Sequence, residues 1–169
     1  SMASAFLGGV IFNAANILLS AAIALSGMSV AFPVGVGLAL VLGVLVNYFS
    51  AAKGDPRFIF LGVALIAAAI VMNGIAYKKA QTGQRKTPTK GILIAVAAGV
   101  IMAFFYRFVA ASMDLDDFVS PAPGKLTPYT AVFIFATGVF ASNFLFNTVA
   151  MKRPVEGPPV RIADYFRGG

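Results

Sequence analysis

Asparagine is the side chain with most to offer in this sequence. Asn13 and Asn16, followed by Ser20, recur at i, i+3 and i+7 within a long apolar stretch. That spacing places all three on one face of a helix. Asn143 and Asn147 stand at i and i+4 in a second apolar stretch and also share a face. A carboxamide carries two donors and two acceptor sites. Two such stripes suit a path for a neutral polar solute, a sugar or a heterocyclic amide, better than a path for an ion. The same groups can instead bond one helix to another, at about 0.6–2 kcal/mol per contact in lipid. The residues by themselves leave both roles open.

Arg107 lies in the run Phe104-Phe105-Tyr106-Arg107-Phe108. An arginine at the centre of a membrane helix costs about 2.5–3.5 kcal/mol on insertion scales, and less near an interface. Two readings stand. Arg107 snorkels to the headgroups with Tyr106 as an interfacial anchor, or it donates at the mouth of a solute cavity. Pro33, Gly35 and Gly37 form a third feature. A proline inside a helix removes a hydrogen bond and clashes with the preceding turn, so a broken helix is expected here. Exposed backbone is tolerated in a membrane only against protein or a wet cavity.

Other chemistries lack their residues. There is no Cys and no His, so thiol chemistry, imidazole acid–base catalysis and nearly all transition-metal or haem sites are not expected. The acids are Asp55, Asp114, Asp116, Asp117, Glu156 and Asp164, and none falls within an apolar stretch. The Asp114–Asp117 cluster lacks the length and glycine of a calcium loop. Gly8-Gly9 has no preceding strand and no following lysine, so it is no phosphate loop. No metal, cofactor or catalytic set is expected, and the chain does not read as an enzyme.

The elements that carry these residues follow from composition. Hydrophobic residues make up 59% and charged residues 11%, against roughly 25% charged in a soluble domain. Mean hydropathy is +0.88. The first charged side chain is Lys53, and a soluble domain cannot turn half of such a stretch toward water. Crossing a bilayer takes about 20 apolar residues. Five spans are expected, at about 5–26, 28–51, 58–77, 91–112 and 128–151, with a Gly27 hairpin between the first two. The expected class is an all-α polytopic membrane protein with the lipid bilayer as its first partner. The net charge of +7 is no nucleic-acid footprint, because the cations cluster at the ends of the spans.

Lys78, Lys79, Arg85, Lys86 and Lys90 fall between the third and fourth spans, and Lys152 and Arg153 follow the fifth. The positive-inside rule makes both segments cytoplasmic. Asp114, Asp116 and Asp117 then lie outside, as does residue 1. An outside N-terminus without a signal peptide is expected where another helix precedes, and residues 153–169, rich in Pro and Gly, read as a cytoplasmic linker or tail. A piece of a longer protein is the expectation.

Two stretches carry a resemblance. One is Gly8-Gly9-Val10-Ile11-Phe12-Asn13-Ala14-Ala15-Asn16 with the Ser26–Pro33 hairpin. The other is Lys125-Leu126-Thr127-Pro128-Tyr129-Thr130 with Asn143, Asn147 and Lys152–Gly157. They resemble ureide-permease-like and sugar-uptake members of the drug/metabolite transporter superfamily. The resemblance implies a ten-helix fold of two inverted five-helix repeats, of which this chain holds the second to sixth helices. It implies secondary transport of a small polar solute, a ureide, nucleobase or sugar, across the cytoplasmic membrane by alternating access. No residue selects the solute or a coupling ion. The alternatives are a half-transporter that dimerises and a non-transporting membrane subunit or scaffold.

Overall fold

In a computed structural model the chain is all-helical among the described residues, 1–50, 54–80, 88–155, 157–161 and 163–164. Five helices run α1 Met2–Ser26, α2 Met28–Ser50, α3 Pro56–Ala80, α4 Thr89–Ser112 and α5 Pro128–Lys152. Each is long and apolar enough to cross a membrane. The chain therefore belongs to the polytopic membrane class that its composition predicts. Lys53, Arg85, Lys86 and Glu156, named above, lie outside the described residues, as does the side chain of Lys78.

The connection between α1 and α2 is a single residue. Gly27 has φ of 77°, a conformation that costs a Cβ-bearing residue energy. Its N–H donates to Ile23 O at 2.8 Å, closing α1, and its carbonyl accepts from Ala31 N at 3.0 Å, opening α2. One glycine thus caps two antiparallel helices. At the start of α5, Pro128 occupies the first turn, where no N–H is needed. The Thr127 hydroxyl accepts from Thr130 N at 3.3 Å.

The expected break at Pro33 does not occur: α2 is helical from Met28 to Ser50 with Pro33 inside it. The reason is position. Pro33 sits in the second turn, so the bond it forgoes is the one to Ser29 O, close to an end where carbonyls can still tilt. Gly35 and Gly37 stay helical because each is a contact point. A Cβ on Gly35 would stand 2.6 Å from Leu19 Cδ1 and 3.2 Å from Ala95 O, and one on Gly37 would stand 2.5 Å from Ile70 Cδ1.

α1 and α4 form the antiparallel centre of the bundle. α5 packs on α1, α2 packs on α4, and α3 packs on α2. The interior is made of small residues: Ala5, Ala15, Ala22, Ala31, Ala95 and Ala131 have no exposed surface. The largest fully buried side chain is Ser112, whereas Phe49, Phe58, Leu65 and Phe133 are exposed. A water-soluble core shows the reverse. In lipid nothing drives bulky apolar residues inward, and helices associate by close backbone approach. Gly9 faces Phe135 O, and Gly138 faces Phe6 O, at separations that leave no room for a Cβ.

Candidate functional site

The polar stripe of α1 divides between two uses. Asn13 is buried and turned toward α5, where its Nδ2 donates to Ser142 Oγ at 2.9 Å and to Val139 O at 3.3 Å. Asn16 Nδ2 donates to Phe12 O at 3.0 Å and Ser20 Oγ to Asn16 O at 2.9 Å, both within α1. On α5, Asn147 Nδ2 donates to Asn143 Oδ1 at 2.9 Å, and both residues are exposed. None of Asn13, Asn16, Ser20, Asn143 and Asn147 lines either of the two cavities described below.

Tyr106 and Arg107 do line one, and it lies between α2 and α4. These two helices run parallel. A Cβ on Gly99 would stand 2.5 Å from Gly35 O, whereas one on Gly43, further along, would stand 3.8 Å from Ala103 O. The pair therefore splays toward the C-terminal ends of both helices. The space between holds a cavity of about 910 Å³ that reaches from the loop after α4 down to Val36, past the midpoint of α2. At 1.5 Å per residue, Val36 to Ser50 is about 20 Å of depth. The walls are Ala39, Leu40, Val44, Met102, Ala103 and Phe105, and the upper part carries Asn47, Tyr48, Tyr106, Arg107, Asp114 and Lys125. Below, Phe105 stacks edge-on against Phe12 at 4.9 Å between ring centroids.

The loop at 113–127 frames the mouth of this cavity. Asp114 and Asp117 hold the loop together through their carboxylates. Asp114 Oδ1 accepts from Asp116 N at 3.0 Å and Asp117 N at 3.3 Å, and its Oδ2 accepts from Ala122 N at 3.0 Å. The Ala122 amide first, then those of Asp116 and Asp117, hold the Asp114 carboxyl below its ordinary value, aided weakly by Lys125. Asp117 Oδ1 accepts from Val119 N and Ser120 N at 2.9 and 2.8 Å. Lys125 Nζ donates to Ala111 O at 3.1 Å, supplying a donor to the carbonyl end of α4. Leu126 N bonds Ser112 O at 2.9 Å and pins the loop's return.

Asn47 and Tyr48 are the site residues that the stripe argument misses. The signal was present: Gly43, Asn47 and Ser50 recur at i, i+4 and i+7 on α2. Asn47 Nδ2 donates to Gly43 O at 2.7 Å, which leaves its carboxamide oxygen and second N–H for other partners.

Among the described residues, the fold and the cleft define a five-helix polytopic membrane bundle with a deep polar-mouthed cavity between α2 and α4. No family model, no curated protein and no solved structure matches the chain.

Proposed function

We propose that this chain acts in secondary transport, taking a small polar solute of the ureide, nucleobase or sugar class into the α2–α4 cleft. The cavity carries the reading. Its volume of about 910 Å³ lies in the range of small-molecule sites, roughly 300–1,000 Å³. Its lining is mostly apolar with a few amide, phenol and guanidinium groups near the mouth, the composition that orients a small polar ligand. It opens at one end of the bundle and reaches past the midpoint of α2, so that it includes the depth at which transporters hold their substrates. Alternating access then requires the splayed ends of α2 and α4 to close while the Gly35–Gly99 contact acts as the pivot. In the ten-helix, two-repeat arrangement, these five helices form about half of the transport unit.

The test is uptake by the chain in proteoliposomes, within whatever full-length protein carries it, against a panel of ureides, nucleobases and sugars. Asn47→Leu is expected to raise KM roughly 5- to 150-fold, the loss of about 1–3 kcal/mol from one buried hydrogen bond. Unchanged uptake per folded molecule would remove the cleft from the path. A second reading, a membrane subunit that moves nothing, draws on Asn13, whose amide is spent on α5. It predicts that no member of the panel is bound or carried.

A further inference from the structure

We propose that the outer groove between α2 and α4 is a phospholipid site, with the lipid phosphate held by Arg107. The groove lies beside the solute cleft, has a volume of about 510 Å³, and is walled by Leu45, Val46, Phe49 and Phe104. On α2 the wall positions recur at i, i+1 and i+4, a single helix face. Its polar lining is confined to Ser50 and Arg107, both toward the C-terminal ends of their helices. Arg107 is five residues short of Ser112, so its Cα lies about 7–8 Å below the end of α4.

The charge decides the occupant. Among the described residues no side-chain hydrogen bond or ion pair engages the Arg107 guanidinium; Asp114 and Asp116 line the adjoining cleft, but no acid lines the groove. A guanidinium at that depth in a bilayer needs an anion, and it matches a phosphate bidentately. The walls need hydrocarbon: Phe49 is 77% exposed and Phe104 40% exposed. A glycerophospholipid meets both needs at once, with an acyl chain along the walls and the phosphodiester at Arg107 and Ser50. A free phosphate meets only the second. The splay of α2 from α4 above Gly43 opens the space, so a lipid seated there also wedges the cleft at its mouth. The inference stands on the groove and its charge, whatever the neighbouring cavity carries.

The experiment is native mass spectrometry of the chain purified in maltoside detergent, with phosphatidylglycerol, diacylglycerol of the same chains, or inorganic phosphate added. One phospholipid is expected to remain bound at detergent-stripping energies. Arg107→Gln should weaken its retention about 10-fold or more, the value of a charged hydrogen bond, and Arg107→Lys should restore part of it. Val46→Trp keeps the charge but fills the groove, and is expected to abolish retention. Tyr129→Ala, exposed on α5, serves as the control. Circular dichroism and monodispersity establish that each variant is folded. Equal retention by Arg107→Gln, or by Val46→Trp, overturns the proposal. So does diacylglycerol retained as firmly as the phospholipid, or displacement of the lipid by inorganic phosphate, which would make Arg107 a site for soluble anions.

Discussion

Asn13 and Asn16 are three residues apart and do different work. Asn13 reaches across to Ser142 and Val139 of α5, whereas the Asn16 amide returns to its own helix at Phe12 O. Asn13→Leu is therefore expected to lower stability in detergent by about 0.6–2 kcal/mol, read as a fall in thermal midpoint. A cycle with Ser142→Ala should show coupling between the two positions. Asn16→Leu should leave the midpoint close to that of the parent chain and, because Asn16 does not line the cleft, should leave uptake close to it as well. Asp114 offers a third measurement at the same level. Its carboxyl is held below 3.8 by the Ala122, Asp116 and Asp117 amides. A depressed folded value means that its contribution is fully present above the unfolded value and is lost as pH falls through the folded one. Protection of the amides of Asp116, Asp117 and Ala122, relative to intrinsic exchange, should thus persist at neutral pH and be lost only below about pH 4, the ordinary carboxylate region. Asp114→Asn should show reduced protection at every pH.

Helix pairs in this bundle are set by where a side chain is missing. Gly138 lies against the backbone of Phe6, while Gly62 has nothing near it. Alanine at these two positions is expected to act with opposite sign. Gly138→Ala forces α5 from α1 and should cost about 1–3 kcal/mol. Gly62→Ala meets open space and should be neutral or stabilising by up to about 1 kcal/mol. Thermal unfolding followed by size exclusion separates the two, and a similar fall for both would remove close approach as the cause. Pro33 belongs here too. Because α2 remains helical through it, Pro33→Ala regains the bond to Ser29 O and should stabilise the start of α2 without moving the Gly35–Gly99 contact.

The whole bundle has two chemically distinct ends. One gathers the α4–α5 loop with its aspartates, the α2 C-terminus and the start of α1, where Ser4 Oγ donates to Phe108 O at 2.6 Å. The other joins Ser26, whose hydroxyl donates to Pro88 O at 3.4 Å, with Lys79, Lys90, Lys152 and Arg153. On the positive-inside rule the second end is expected to face the cytoplasm. Single cysteines at Val119 and Gln84 are expected to label from opposite sides with an impermeant reagent in intact cells. Labelling of Gln84→Cys from outside would invert the molecule.

Five spans, their boundaries to within a turn and the Gly27 hairpin were readable from residue order. Each depends on a local quantity, either hydropathy summed over about 20 residues or the single conformation that favours glycine. The charge difference between the ends was readable for the same reason. Which polar residues meet was not. In water, polarity marks the outward face of a helix, but in lipid both faces are apolar and pattern loses its sign. Facing then depends on fit between distant backbones, Gly9 against Phe135 and Gly35 against Gly99. That fit turned Asn13 onto α5, carried α2 unbroken past Pro33 and opened the cleft at Asn47 and Tyr48, because no local signal says which small residues will find each other.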